Sequence, residues 1–123
     1  MLLEDWVKTN AKNGELPDVS DILWVLKADG RVVVAREIQG DLKNGHPTLA
    51  AFGETLKKGQ IPKAEFGGEI VKVNGEWTIN NKSGRYSNRP DVTVGNLQKI
   101  ADVFAENGIN LRTGFIEIYK PKP

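Results

Sequence analysis

Residues 67–86, GGEIVKVNGEWTINNKSGRY, decide how this chain folds and where its chemistry is to be sought. The stretch reads as a strand, an Asn74-Gly75 turn and a second strand, because apolar and β-branched residues flank a dipeptide that readily takes positive φ. The second strand leaves through Asn80, Asn81, Lys82, Ser83, Gly84, Arg85 and Tyr86. Two amides, an amine, a hydroxyl, a guanidinium and a phenol within seven residues exceed what closing a turn requires. Such a density of donors suits an anionic ligand.

Upstream, ILWVLK (Ile22 to Lys27) and RVVVAREI (Arg31 to Ile38) flank Asp29-Gly30, a second hairpin signal. Before it, Leu2, Leu3, Trp6, Val7 and Ala11 fall at helical spacing, with Asn13-Gly14 as the expected stop. Residues 39–63 are rich in Gly and Lys, with one short helix expected from Thr48 to Lys58. Downstream, Val94, Leu97, Ile100, Ala101 and Phe104 form one apolar stripe, so a long helix is expected from Thr93 to Asn107, ended by Gly108. A final strand is expected over Ile109 to Tyr119, with Pro121 ending it. The fold class is therefore α+β: an N-terminal helix, an antiparallel sheet of four to five strands built from two hairpins and a C-terminal strand, and one long helix packed on the sheet. Residues 1–123 are expected to make one domain.

Composition removes several classes of function. Seventeen basic and sixteen acidic residues leave a net charge of +1, so nucleic acid would have to be bound by local clustering of cations rather than by a global polycation. Without cysteine there is no disulfide framework, thiolate nucleophile or cysteine metal site, and a single histidine argues against zinc. No cofactor or metal is therefore expected, and no apolar run approaches the roughly 18 residues of a membrane span.

The chain's one histidine, His46, lies in a second polar knot, Asn44-Gly45-His46-Pro47-Thr48. Imidazole is the side chain whose ordinary pKa lets it give and take protons near neutrality, although a surface histidine in a Gly-Pro loop is an equal reading. Thr48 offers a hydroxyl to a phosphate oxygen; taken alone it reads as a helix N-cap. Glu69 shares a strand face with Val71 and, if that face lines a cleft, is a candidate base or a partner that orients His46. Ser83 and Tyr86 flank Gly84-Arg85; they are candidate donors to a developing oxyanion, against the reading of a structured loop with a packed tyrosine. Asn80, Lys82, Arg85 and Arg89 extend the same positive, donor-rich surface as substrate-binding residues, whereas Trp24 and Trp77, each central in a strand, read as core.

The order Ile-Leu-Trp-Val, Asp-Gly, His-Pro-Thr-Leu, Gly-Gly-Glu-Ile and Asn-Asn-Lys-Ser-Gly-Arg-Tyr resembles the C-terminal toxin modules of bacterial polymorphic toxins, of the contact-dependent inhibition and Rhs types. The resemblance spans roughly Ile22 to Gly108, on a His-x-x-Leu, a Gly-Glu and a Ser-Gly-x-Tyr at similar spacing. Many such modules are similar to the barnase, EndoU, colicin and RelE ribonucleases, small α+β enzymes that work without metal. The resemblance implies His46, Glu69, Ser83 and Tyr86 as catalytic residues, and Thr48, Lys82, Arg85, Asn80 and Arg89 as substrate-binding residues. It further implies RNA, tRNA in particular, as substrate, a cognate immunity protein as partner, and delivery by a secreted effector into the cytoplasm of a competitor cell. Arg85 departs from the family pattern, which has histidine there, so a two-histidine acid–base pair is not expected and a second proton would pass through Tyr86, Glu69 or a lysine. Two other readings use the same residues: an ADP-ribosyltransferase-like toxin holding NAD, and a non-catalytic immunity or binding module. A module built to block a basic nuclease would be strongly acidic, which this chain is not.

Overall fold

A computed structural model describes residues 1–39 and 42–119. Helix α1 (Leu3–Asn10) precedes a hairpin of β1 (Ile22–Leu26) and β2 (Val32–Arg36). A small pair follows, β3 (Ile38–Gln39) with β4 (Leu42–Lys43), and then helix α2 (His46–Ala50). The second hairpin is β5 (Phe66–Val73) with β6 (Glu76–Asn80), and helix α3 (Val94–Glu106) leads to β7 (Arg112–Gly114). The main sheet has the order β2-β1-β5-β6-β7.

Both hairpins form where the Asp-Gly and Asn-Gly signals lie. Asn74 and Gly75 both take positive φ, 51° and 79°, as a tight two-residue turn matched to the twist of its strands demands. The hairpins join through β1 and β5, which pair antiparallel with Leu23 opposite Glu69 and Trp24 opposite Gly68. The sheet is not antiparallel throughout, however: β7 runs parallel to β6, Ile79 opposite Thr113. A parallel pair needs a crossover, and α3 supplies it. The C-terminal strand is three residues long, Arg112–Gly114, instead of the expected span from Ile109 to Tyr119. Beyond Gly114 the chain is braced by a side chain: Asn81 Nδ2 donates to Ile116 O at 2.9 Å and Asn81 Oδ1 accepts from Ile116 N at 2.7 Å. The short helix also starts earlier than expected and ends at Ala50 instead of Lys58.

Alternation along the strands loads both sheet faces with apolar side chains. One face presents Ile22, Trp24, Val32, Val34, Phe66, Ile70 and Ile79 to Leu3 and Trp6 of α1 and to Leu97, Ile100, Ala101 and Phe104 of α3. Trp24 is fully buried, its ring edge-on to Phe66 at 5.1 Å, while Trp77 is half-buried beneath the Lys72 ammonium. The opposite face presents Leu23, Val25 and Val33 to Leu49 of α2. The turn after α2 is fastened to β1 by Lys27, whose side chain is only 4% exposed; its Nζ donates to Phe52 O and pairs with Glu54 at 3.3 Å. At the open end of the first hairpin Asp21 accepts from Arg36 Nε and from Ile38 N, both at 3.0 Å. Partial burial pushes the Asp21 carboxyl up, but the Ile38 amide and the Arg36 guanidinium outweigh it and leave its pKa lowered. Among the described residues no helix is long and apolar enough to cross a membrane.

Candidate functional site

Gly67-Gly68 is the hinge on which the site is built. Strand β5 alternates, so Gly67 and Glu69 face α2 while Gly68 faces the α3 side. A Cβ on Gly68 would strike the main chain of Asn80. Its absence lets the Asn80 carbonyl turn over the strand and accept from Trp24 Nε1 at 3.1 Å, deep in the core. A Cβ on Gly67 would lie 2.8 Å from Trp24 O and 3.2 Å from His46 Cδ2, so only glycine leaves room for the imidazole.

His46 is the first residue of α2 and half-buried. Its Nε2 lies 2.8 Å from Gly68 O. A carbonyl oxygen can only accept, so Nε2 carries the hydrogen and, in the neutral ring, Nδ1 holds the lone pair. An imidazole with one nitrogen fixed by a backbone acceptor and the other without a hydrogen-bond partner among the described residues is the arrangement an acid–base histidine requires. Glu69 follows on the same strand face, two residues beyond the glycine that carries the ring, or about 6–7 Å along the strand. Asn80 holds this carboxylate's surroundings: its Oδ1 accepts from Glu69 N and from Lys82 N, each at 2.9 Å, and its Nδ2 approaches Glu69 Oε1 at 3.4 Å. One buried amide thus draws together the strand that bears Glu69 and the exit that bears the exposed Lys82. His46, Glu69, Asn80 and Lys82 form the candidate site.

The rest of the polar exit is differently employed. Asn81 and Ser83 are 1% and 3% exposed, and Ser83 Oγ accepts from Tyr86 N at 3.4 Å. Tyr86 is 6% exposed and its hydroxyl donates to Pro62 O at 2.8 Å. Desolvation by burial raises the Tyr86 pKa, against the pull of Arg85 and with the help of Glu54, so the phenol stays protonated. The oxyanion-donor expectation for Ser83 and Tyr86 is corrected accordingly: both side chains close the loop, and the packed-tyrosine reading describes them. Thr48 Oγ1 accepts from Gly45 N at 3.0 Å, a capping contact at the start of α2. Arg89 is held by Asp91, at 2.8 and 3.1 Å, and by Glu65 O at 2.9 Å, so its charge is neutralised where it stands. Arg85 is exposed and makes no ion pair among the described residues. With Tyr86 and Arg89 it lines a cavity that His46, Glu69, Asn80 and Lys82 do not line.

The sequence reading did not single out Ser87. Its Oγ donates to Gly67 O at 2.6 Å and accepts from Gly67 N at 3.3 Å, stitching the exit loop to the strand beside His46. Nothing in the local pattern separates this serine from its neighbours; the Gly67-Gly68 pair was the available hint that other chain passes close. Among the described residues no three His, Asp or Glu side chains gather as a metal site. Compared with protein-family models, with curated proteins and with solved structures, the chain matches none.

Proposed function

We propose that this domain is a metal-independent endoribonuclease toxin, delivered by a secreted effector and acting on RNA, tRNA above all, in the cytoplasm of a competitor cell that lacks the cognate immunity protein. The observation that carries the reading is the His46 Nε2 contact with Gly68 O, which leaves Nδ1 for proton transfer on the face that Glu69 shares. In the forward reaction the Glu69 carboxylate takes the proton of a ribose 2′-hydroxyl. The 2′-oxygen attacks the adjacent phosphorus while the bond to the 5′-oxygen breaks, and imidazolium Nδ1–H of His46 gives its proton to that leaving oxygen. The products are a 2′,3′-cyclic phosphate and a free 5′-hydroxyl. Lys82 supplies positive charge for the phosphorane, and Asn80 keeps Lys82 and Glu69 in register.

The two roles are separable by pH. Removing either group is expected to slow cleavage of an RNA oligonucleotide by about 10²–10⁴-fold. Glu69→Gln is expected to remove the acidic limb of a bell-shaped rate profile and His46→Ala the alkaline limb. EDTA is expected to leave the rate unchanged. A His46→Ala protein that still cleaves, or cleavage stopped by EDTA, would overturn the proposal. Intact RNA with NAD consumed would replace it with ADP-ribosyl transfer, and neither activity with a binding module.

A further inference from the structure

A cavity of about 500 Å³ opens between the segment Ile61–Glu65 and the exit loop at Arg85, Tyr86 and Arg89, with Ala28 at its far side. Its floor is apolar, made by Ile61, Pro62, Ala64 and the Tyr86 ring, and Ile61 is 59% exposed. Lys63 and Arg85 also line it, both exposed and outside every ion pair among the described residues, and the exposed Glu65 carboxylate stands among them, so the free lining charge is positive by one. Arg89 builds the wall with its charge already answered by Asp91.

A groove that only tracked a phosphate backbone would need no apolar floor. A greasy ligand pocket would need no lysine and arginine in excess over its one free carboxylate. Volume, floor and rim together suit one nucleotide, whose base has an apolar face to lay down and whose phosphate is an anion. The cavity wall is tied to the candidate site through the main chain: Tyr86 precedes Ser87, whose hydroxyl is bonded to Gly67, and the His46 ring lies over Gly67. We infer that the Ile61–Lys63–Arg85 cavity is a subsite for a single unpaired nucleotide of the RNA strand, the base resting on Ile61 and Pro62 and the phosphate lying between Lys63 and Arg85. The inference rests on the ribonuclease reading and adds a selection that reading does not contain. A base already paired in a duplex cannot enter, so cleavage is confined to loops and single strands.

The test is binding of a fluorescent single-stranded oligonucleotide with 2′-O-methyl riboses, which cannot be cleaved, followed by anisotropy. Arg85→Ala is expected to weaken binding by on the order of tenfold and to lower the slope of log affinity on log salt by about 0.7. Ile61→Ser is expected to weaken binding similarly with the salt slope unchanged, because stacking is lost and no charge is. Each variant's melting temperature shows that it folds. The same sequence as a duplex is expected to bind more weakly. His46→Ala is expected to bind the probe and fail to cleave its unmodified counterpart. Equal binding of duplex and single strand, or wild-type affinity in both Arg85→Ala and Ile61→Ser, would overturn the subsite while leaving the nuclease standing. Unaltered cleavage by His46→Ala, with binding lost in the cavity variants, would remove the nuclease and leave a nucleic-acid binding site.

Discussion

The His46 knot and the Asn80–Ser87 exit are alike in composition and opposite in what their side chains do. Both are short polar runs around glycine, and both read as ligand sites. In the exit, Asn80, Asn81, Ser83, Tyr86 and Ser87 are buried, and their polar atoms bond to main chain, save Asn80 Nδ2, which reaches Glu69 Oε1. In the knot, Thr48 is spent on a cap, and His46 commits one ring nitrogen to Gly68 O. A buried polar group must be satisfied within the protein, so crowding donors into a loop that is then buried makes a brace. A group that burial engages only in part, as His46 is, keeps a polar atom to offer a ligand.

That contrast can be broken most forcefully at Gly68. Gly68→Ala is expected to cost about 3 kcal/mol or more, because the new Cβ meets main chain of Asn80 rather than a side chain that can move. Urea denaturation measures it, and a loss below about 1 kcal/mol would mean that the Asn80 crossing is not fixed. Asn81→Ala comes next, at about 2–3 kcal/mol, since it strips two hydrogen bonds from Ile116 and frees the segment after β7. If that variant were as stable as the parent yet inactive, the exit would be a site after all.

Tyr86→Phe sharpens the contrast at a smaller scale. Deleting the hydroxyl leaves the Pro62 carbonyl without its donor, an expected cost of about 1–2 kcal/mol with the proposed cleavage otherwise retained. It should also change the alkaline limb of stability. The Tyr86 pKa is raised in the fold, so its contribution is fully present below the ordinary value of 10.0 and is lost as pH rises through the folded value. Melting between pH 9 and 11 is therefore expected to fall less steeply in Tyr86→Phe than in the parent. An equal fall would mean that the phenol is not held protonated.

The smallest effect is expected at acid pH. The Asp21 pKa is lowered in the fold, so its stabilisation is present above the ordinary value of 3.8 and disappears as pH falls through the folded value. Asp21→Asn is expected to cost about 1 kcal/mol at pH 7 and progressively less as pH falls below 3.8. A pH-independent difference would refute the pairing with Arg36 and Ile38.

Local chemistry made much of the fold legible. The Asn74-Gly75 and Asp29-Gly30 turns, the apolar runs of β1 and β2, and the stripe Leu97, Ile100, Ala101 and Phe104 act within a few residues of one another, so the chain order alone exposes them. The parallel pairing of β7 was not legible, because strand direction depends on where α3 returns the chain. The Asn81 bracket on Ile116 spans 35 residues and has no local sign. The candidate site divided in the same way. His46 and Glu69 stood out by residue type and strand face, whereas the loss of Tyr86 and Ser83 to structure could be seen only once burial was known.

By itself, the sequence determined the α+β class, the two hairpins, the long amphipathic helix, and the presence of one histidine and no cysteine, since these depend on composition and on periodicities two to four residues long. Tertiary structure alone decided which polar side chains remain available. That choice is made by contacts such as Tyr86 to Pro62, Ser87 to Gly67 and His46 to Gly68, which join residues 20 or more positions apart, and it follows from the rule that each donor or acceptor taken out of water must find its partner inside.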